Sequence, residues 1–203
     1  MKLYYSPGAC SLSPHIALRE AGLACELVLK DLQTQTLADG SDYRAINPKG
    51  YVPALALDDG QVLTEGPAIV QYIADRVPEK KLAPPAGTME RVRLQEWLNY
   101  ISSEIHKTFS PLFNKQASED WKKAARALLD RRIDYVAKAL EGRNYLMGDA
   151  FTVADGYLFT TLNWSHWVNV DLSRWPVLGE YLKRVSARPA VQEALRAEGL
   201  LKQ

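Results

Sequence analysis

Lys2-Leu-Tyr-Tyr-Ser-Pro-Gly-Ala-Cys10-Ser-Leu-Ser-Pro14 is the stretch that decides how this chain folds. An apolar run ends in the turn Ser6-Pro7-Gly8, and Cys10 follows. Ser11 then reads as a helix N-cap. Pro14 falls in the first turn, where its missing N–H costs nothing. The order is strand, turn, thiol, helix N-terminus. Free main-chain N–H groups and the helix dipole favour an anion there, so a thiol so placed is expected to ionise readily.

Working outward, the helix carries Ile16, Ala17 and Ala21 and stops at Gly22. Cys25–Leu29 reads as a second strand, with Cys25 in its core. Two short strands joined by a helix predict a parallel βαβ unit. Residues 31–47 are polar and irregular, with room for one short helix. Asn47-Pro48-Lys49-Gly50-Tyr51-Val52-Pro53 leads into a third strand. Asp59-Gly60 is a hairpin signal, and Val62–Thr64 is the return strand. Glu65-Gly66-Pro67 opens a helix that runs to about Arg76. Residues 1–77 therefore form an α/β domain. Residues 78–87, rich in proline, are a linker.

Residues 88–203 read as an all-α domain. Leu94, Leu98, Ile101, Ile105 and Phe109 mark one buried face of a single helix from Thr88 to Ser110, ended or kinked by Pro111. Ser118 caps a second helix whose apolar face is Trp121, Ala125, Leu128, Val136 and Leu140. Thr152 and Asp155 have capping-box spacing at the start of a third. A fourth starts at Trp175-Pro176 and breaks at Arg188-Pro189, before a short last one.

The bulk numbers exclude several classes. Of 203 residues, 47% are hydrophobic and 24% charged, with net charge +1, so no broad field draws the chain to nucleic acid or an anionic membrane. No apolar run is long enough to span a bilayer, and no signal-peptide core follows Met1, so a cytoplasmic setting is expected. Two cysteines make no disulfide framework. His15, His106 and His166 stand far apart, so no metal site is expected.

Some residues admit two readings. Cys10 is either a small buried apolar residue or a thiol activated by the helix terminus. Cys10-Ser11-Leu12-Ser13 has the spacing of a Cys-x-x-Cys redox site with serine as the second member. Asn99, Ser103, His106 and Ser110 form a polar stripe beside the apolar one, with Lys107 next to it. The stripe suits either a polar ligand or an interhelical seam. Glu65 either complements a helix dipole or binds a cation.

Four markers in order resemble the cytosolic glutathione S-transferases, the bacterial beta class in particular. They are Tyr5-Ser-Pro-Gly-Ala-Cys10-Ser, Asn47-Pro48-x-Gly50-x-Val52-Pro53, Leu63-Thr-Glu65-Gly66-x-Ala-Ile-x-Gln-Tyr72 and Phe151-Thr152-Val-Ala-Asp155. The resemblance covers essentially the whole chain. It implies an N-terminal thioredoxin-like domain that binds glutathione as co-substrate, and a C-terminal helical bundle that shapes the electrophile pocket. It further implies a homodimer and a detoxifying transferase.

On that resemblance Cys10 and His106 are the catalytic candidates, both near the glutathione sulfur. Val52 would offer its main chain to the cysteinyl part, next to a cis Pro53. Glu65 would pair the γ-glutamyl ammonium, and the Gly66 N–H its carboxylate. Asn99, Ser103 and Lys107 complete the glutathione set. Gln35 stands where beta-class enzymes commonly place a lysine near the glycyl carboxylate. Tyr5 lies close to the activating tyrosine of other classes, with Cys10 favoured over it. Trp164, His166 and Trp167 are candidates for the electrophile pocket, although core packing also explains the tryptophans. Alternatives are a thiol-disulfide transferase or reductive dehalogenase using Cys10, a non-catalytic binder of hydrophobic compounds, and a glutathione-free interaction module.

Overall fold

Strand β1 (Lys2–Tyr5) buries Leu3 and Tyr4 on opposite faces, as a central strand must. The computed structural model describes residues 1–201. β1 pairs in parallel with β2 (Glu26–Leu29) and antiparallel with β3 (Ala54–Ala56). β4 (Val62–Thr64) adds antiparallel to β3, giving the order β2-β1-β3-β4. Leu3 faces Leu27 on one side and Leu55 on the other. Helix α1 (Leu12–Ala21) makes the crossover and ends at Gly22, whose φ of +68° suits the left-handed cap. Helix α2 (Gly66–Asp75) packs beside α1, with Ile16, Ile69 and Ile73 fully buried.

Two local expectations change here. Ser11 is already helical in backbone and does not cap α1. Its hydroxyl instead accepts from Ser6 N–H and donates to Ser6 O, tying the turn to the helix start. Cys25 lies just before β2 and is half-buried, not core, because β2 is an edge strand. Its partial burial pushes the thiol pKa up.

The chain divides into two compact units. Among the described residues the first holds Met1–Ala83 and residues 187–201; the second is Pro84–Ser186. In the second, α3 (Met89–Tyr100) starts at Thr88, which accepts from Arg91 N–H. The single helix expected there is interrupted. Ile101–His106 is π-helical, and the Lys107 N–H reaches back five residues to Ser102 O. α4 (Lys107–Phe113) then continues through Pro111, which neither ends nor precedes the break. The five apolar residues of the predicted face are all buried nonetheless.

Helix α5 (Glu119–Leu140) starts at Ser118, which accepts from Trp121 N–H. Trp121 itself is 53% exposed, so it is not part of the core face; Leu129 and Ile133 fill that role. Helices α6 (Val153–Asn163) and α7 (Pro176–Ser186) complete the unit. The capping box at the start of α6 is present. Thr152 N–H and Oγ1 both donate to Asp155 Oδ2, at 2.9 and 3.0 Å.

A boundary at residues 78–87 assigns everything beyond it to one helical domain. The last helix, α8 (Pro189–Ala197), departs from that and packs on α1 in the first unit. Arg188 forks onto Glu20 at 2.5 and 2.8 Å. Beyond α8, Glu198 pairs with His15 at 2.8 Å, both fully buried. These polar contacts lie beside the buried apolar face Val191, Ala194 and Leu195.

Candidate active site

Cys10 sits two residues before α1, on a turn closed by Ala9 N–H donating to Ser6 O. Four further bonds set the turn's shape. Ser6 Oγ donates to Lys30 O at 2.6 Å, Ser11 holds Ser6, and Gly8 N–H donates to Glu198 Oε2 at 2.8 Å. Gly8 has φ +70°, a conformation glycine adopts without strain. The half-buried Cys10 Sγ lies 3.1 Å from Val52 O and donates to it. Thiol and main chain therefore meet at one point. Ser13, in the place of a resolving cysteine, is buried.

The Val52–Pro53 bond is cis. The three carbonyls ahead of Pro53 are all held by side chains. Lys30 Nζ donates to Gly50 O at 3.1 Å. Tyr43 OH and Asn47 Nδ2 donate to Tyr51 O at 2.9 and 2.7 Å, and Cys10 takes Val52 O. A main chain fixed in this way ahead of β3 can receive a peptide strand-fashion. Lys30 and Tyr43 escape sequence reasoning, since each reads as an ordinary strand or loop residue, and Asn47 stands there only as part of the marker that leads to Pro53.

Glu65 stands at the start of α2 with φ +68°, an uncommon conformation for a residue with a side chain. It projects into solvent, 67% exposed at the side chain, and pairs with Lys49 Nζ at 2.6 Å. A Cβ at Gly66 would meet no described atom within 4 Å, so packing does not demand glycine there. The Gln35 side chain turns back on its own loop. Its Nε2 donates to Leu32 O at 2.9 Å, and its buried Oε1 has no hydrogen-bond partner among the described residues. Tyr5 is pushed up in pKa by burial and then by the Glu198 charge, which keeps its phenol protonated.

In the second unit His106 closes the π-helical turn. Its Nδ1 meets Tyr157 OH at 2.7 Å, and its ring stands edge-on to Trp164 at 4.7 Å. Tyr157 is 3% exposed, and this partner is missed from sequence because it lies 51 residues away. Asn99, Ser103, Lys107 and Ser110 are exposed, and Ser103 Oγ donates to Asn99 O. The wider π turn rotates the residues after it relative to an α-helical projection, so the predicted stripe is not straight. Trp164 is buried against His106, Phe109 and Phe113, whereas Trp167 is 46% exposed. Among the described residues no group of three His, Cys, Asp or Glu side chains is placed to hold a metal ion. No described helix is long and apolar enough to cross a membrane.

Comparison with known proteins gives a consistent result. Residues 8–76 match the family model for the glutathione S-transferase N-terminal domain, and residues 100–189 match that for the C-terminal domain. Glutathione S-transferase GstA of Escherichia coli O157:H7 is 49% identical over 98% of this chain and 100% of its own. A solved ternary complex of BphK, a bacterial glutathione S-transferase, superposes with a TM-score of 0.98 at 63% identity, covering 98% of this chain and 100% of that one. A sphingomonad glutathione S-transferase, solved with glutathione, gives 0.95 at 47% identity over 99% and 100% of the two chains.

Proposed function

The chain belongs to the glutathione S-transferase family, and from that premise we propose that it joins glutathione sulfur to electrophilic carbons of small apolar molecules. The observation that carries this reading is the meeting of Cys10 Sγ with the Val52 main chain beside cis Pro53. A tripeptide thiol laid along Val52 would bring its sulfur to Cys10, at the N-terminus of α1. Helix dipole and donor both favour the thiolate there. The thiolate then forms a C–S bond as the leaving group departs with its electron pair. Lowering a thiol pKa from about 8.5 toward neutrality takes only about 2 kcal/mol, within reach of one helix terminus and one charge-assisted hydrogen bond.

We assign roles on the same reading. Val52 and Pro53 receive the cysteinyl unit, Glu65 the γ-glutamyl ammonium, and Gly66 N–H its carboxylate, with Gln35 toward the glycyl end. To His106, backed by Tyr157, we assign a donor's role toward the sulfur. Asn99, Ser103 and Lys107 are assigned the polar contacts and positive potential of the second unit. The protein is read as a cytoplasmic homodimer that needs no metal.

Glu65→Gln should raise the KM for glutathione roughly tenfold or more, since the hydrogen bond to the ammonium loses its charged acceptor, and leave the electrophile KM unchanged. Steady-state kinetics with glutathione and electrophile varied separately checks this. An unchanged KM removes Glu65 from the site.

A second reading has its own observation. Cys10 is half-buried on a turn tied at several points, and buried Ser13 stands where a redox pair would have its second thiol. Exchange through a single thiol is chemically open to such a site. In that case Cys10 thiolate attacks the sulfur of a glutathione disulfide, forming a mixed disulfide and releasing one glutathione thiolate. Cys10→Ala separates the two. We expect conjugation to fall less than about tenfold, the weight of one lost hydrogen bond. Disulfide exchange should vanish. Loss of both activities makes Cys10 essential to conjugation as well. Intact mass with and without reductant reads any bound glutathione directly.

A further inference from the structure

Lys30 is a buried cation that the reaction does not use. It is 2% exposed, an unusual state for lysine, and among the described residues its Nζ has one hydrogen bond, to Gly50 O at 3.1 Å. The ammonium also lies 5.5 Å from the centre of the Tyr43 ring. Burial, and then the charge of Arg44, lower its pKa. A buried charge with so few partners is costly, and methionine or leucine would fill the space without that cost.

Its position in the fold explains what the charge does. The Lys30 main chain holds the thiol turn: its N–H donates to Tyr5 O at 2.8 Å, and its carbonyl accepts from Ser6 Oγ at 2.6 Å. Its side chain holds the other half of the site, through Gly50 O. Gly50 has φ +72°, and its N–H donates to Asn47 O, so the chain turns there before Tyr51 and Val52. A Cβ at Gly50 would stand 3.1 Å from Gln35 Oε1, so the fit around this turn is tight. Lys30, Tyr43, Asn47 and Cys10 hold the Gly50, Tyr51 and Val52 carbonyls, and of these four Lys30 brings the cationic donor.

We propose that Lys30 is a positioning residue for glutathione: one residue links the Cys10 turn to the Gly50–Val52 segment and sets the Val52 main chain at the height of the thiol. The proposal rests on the glutathione reading of this site. Lys30 touches no substrate atom in it. Its effect passes through the Gly50 carbonyl, so it should act on glutathione binding and not on the bond-forming step.

The test is steady-state kinetics of the full chain with glutathione and 1-chloro-2,4-dinitrobenzene, on wild type, Lys30→Met and Lys30→Gln. Lys30→Met keeps the length of the stem and removes the donor. Its KM for glutathione should rise about tenfold, with kcat within twofold and the electrophile KM unchanged. Lys30→Gln keeps an N–H donor on a shorter stem, and its KM should rise about threefold. A role in stability alone would lower the melting temperature and the active fraction, hence kcat, and leave KM where it was.

An unchanged glutathione KM in folded Lys30→Met overturns the proposal. If Lys30→Met does not fold, an unchanged KM in Lys30→Gln does so. A wild type that neither saturates with glutathione nor is protected by it against thermal unfolding overturns the reading of the site itself. A saturating wild type with unaffected variants removes Lys30 alone.

Discussion

Asp155→Ala should lower the thermal midpoint by about 10 °C, from a loss of about 3–5 kcal/mol. The carboxylate is fully buried at the start of α6 and accepts from four donors. Leu146 N–H and Tyr181 OH reach Oδ1 at 2.9 and 3.1 Å; Thr152 N–H and Oγ1 reach Oδ2. Alanine removes the acceptor of Leu146 N–H and of both Thr152 donors in a buried site, at about 1–3 kcal/mol for each group that finds no other partner, while Tyr181 OH keeps the residue-155 main-chain carbonyl. Relaxation of the loop before Thr152 keeps the total below their sum. Differential scanning calorimetry measures the shift, and a change under about 3 °C would show that the network is dispensable.

The same carboxyl has a pH signature. Burial outweighs its four hydrogen bonds and lifts its pKa from 3.8 to about 6. The folded chain therefore keeps a proton that the unfolded chain releases as pH rises from about 4 to about 6. This contribution to stability is full below about pH 4 and is lost as pH rises through about 6. The amide of the Asp155→Asn variant does not titrate. The stability difference between wild type and Asp155→Asn should thus be larger at about pH 4.5 than at about pH 7.5. A difference that grows with pH would mean that the hydrogen bonds win over burial.

Glu198→Ala should cost about 3–5 kcal/mol and lower conjugating activity at temperatures where the chain is still folded. One carboxylate serves two buried partners, His15 Nδ1 through Oε1 and Gly8 N–H through Oε2, both at 2.8 Å. Alanine leaves the His15 ring nitrogen without its partner and frees the turn that carries Cys10. Glu198→Gln retains an acceptor for one of the two and should cost less than half as much. Chemical unfolding gives the stabilities. Labelling of Cys10 by a maleimide gives the turn, and it should quicken in Glu198→Ala. An unchanged labelling rate in the folded variant would separate the turn from the Glu198 contact.

The order of strands and helices was legible because its signals are local. Gly22, Asp59-Gly60, Pro67 and the Thr152–Asp155 spacing each act within a few residues. The π-helical turn at Ile101–His106 was not legible. Its apolar residues repeat at intervals that an α-helix satisfies equally well. Trp121 fits the apolar spacing but lies in the first turn of α5, beyond the reach of the core. The candidate site divides the same way. Cys10, Val52-Pro53 and Glu65 stand in recognisable turns. Their supports do not, since the partner of His106 lies 51 residues off and that of His15 lies 183. Lys30 is hidden for another reason, because a lysine at a strand end is expected in solvent.

The return of α8 to the first unit has a consequence in time. Gly8 and Glu198 lie 190 residues apart along the chain. At roughly 5–20 residues per second of synthesis, the carboxylate that secures the Gly8 amide is made about 10–40 s after it. The second unit, continuous from Pro84 to Ser186, is complete before Glu198 exists. The thiol turn is therefore translated well before the contact that finishes it. A nascent chain cut short of Glu198 carries its cysteine without the contact that shapes the turn around it.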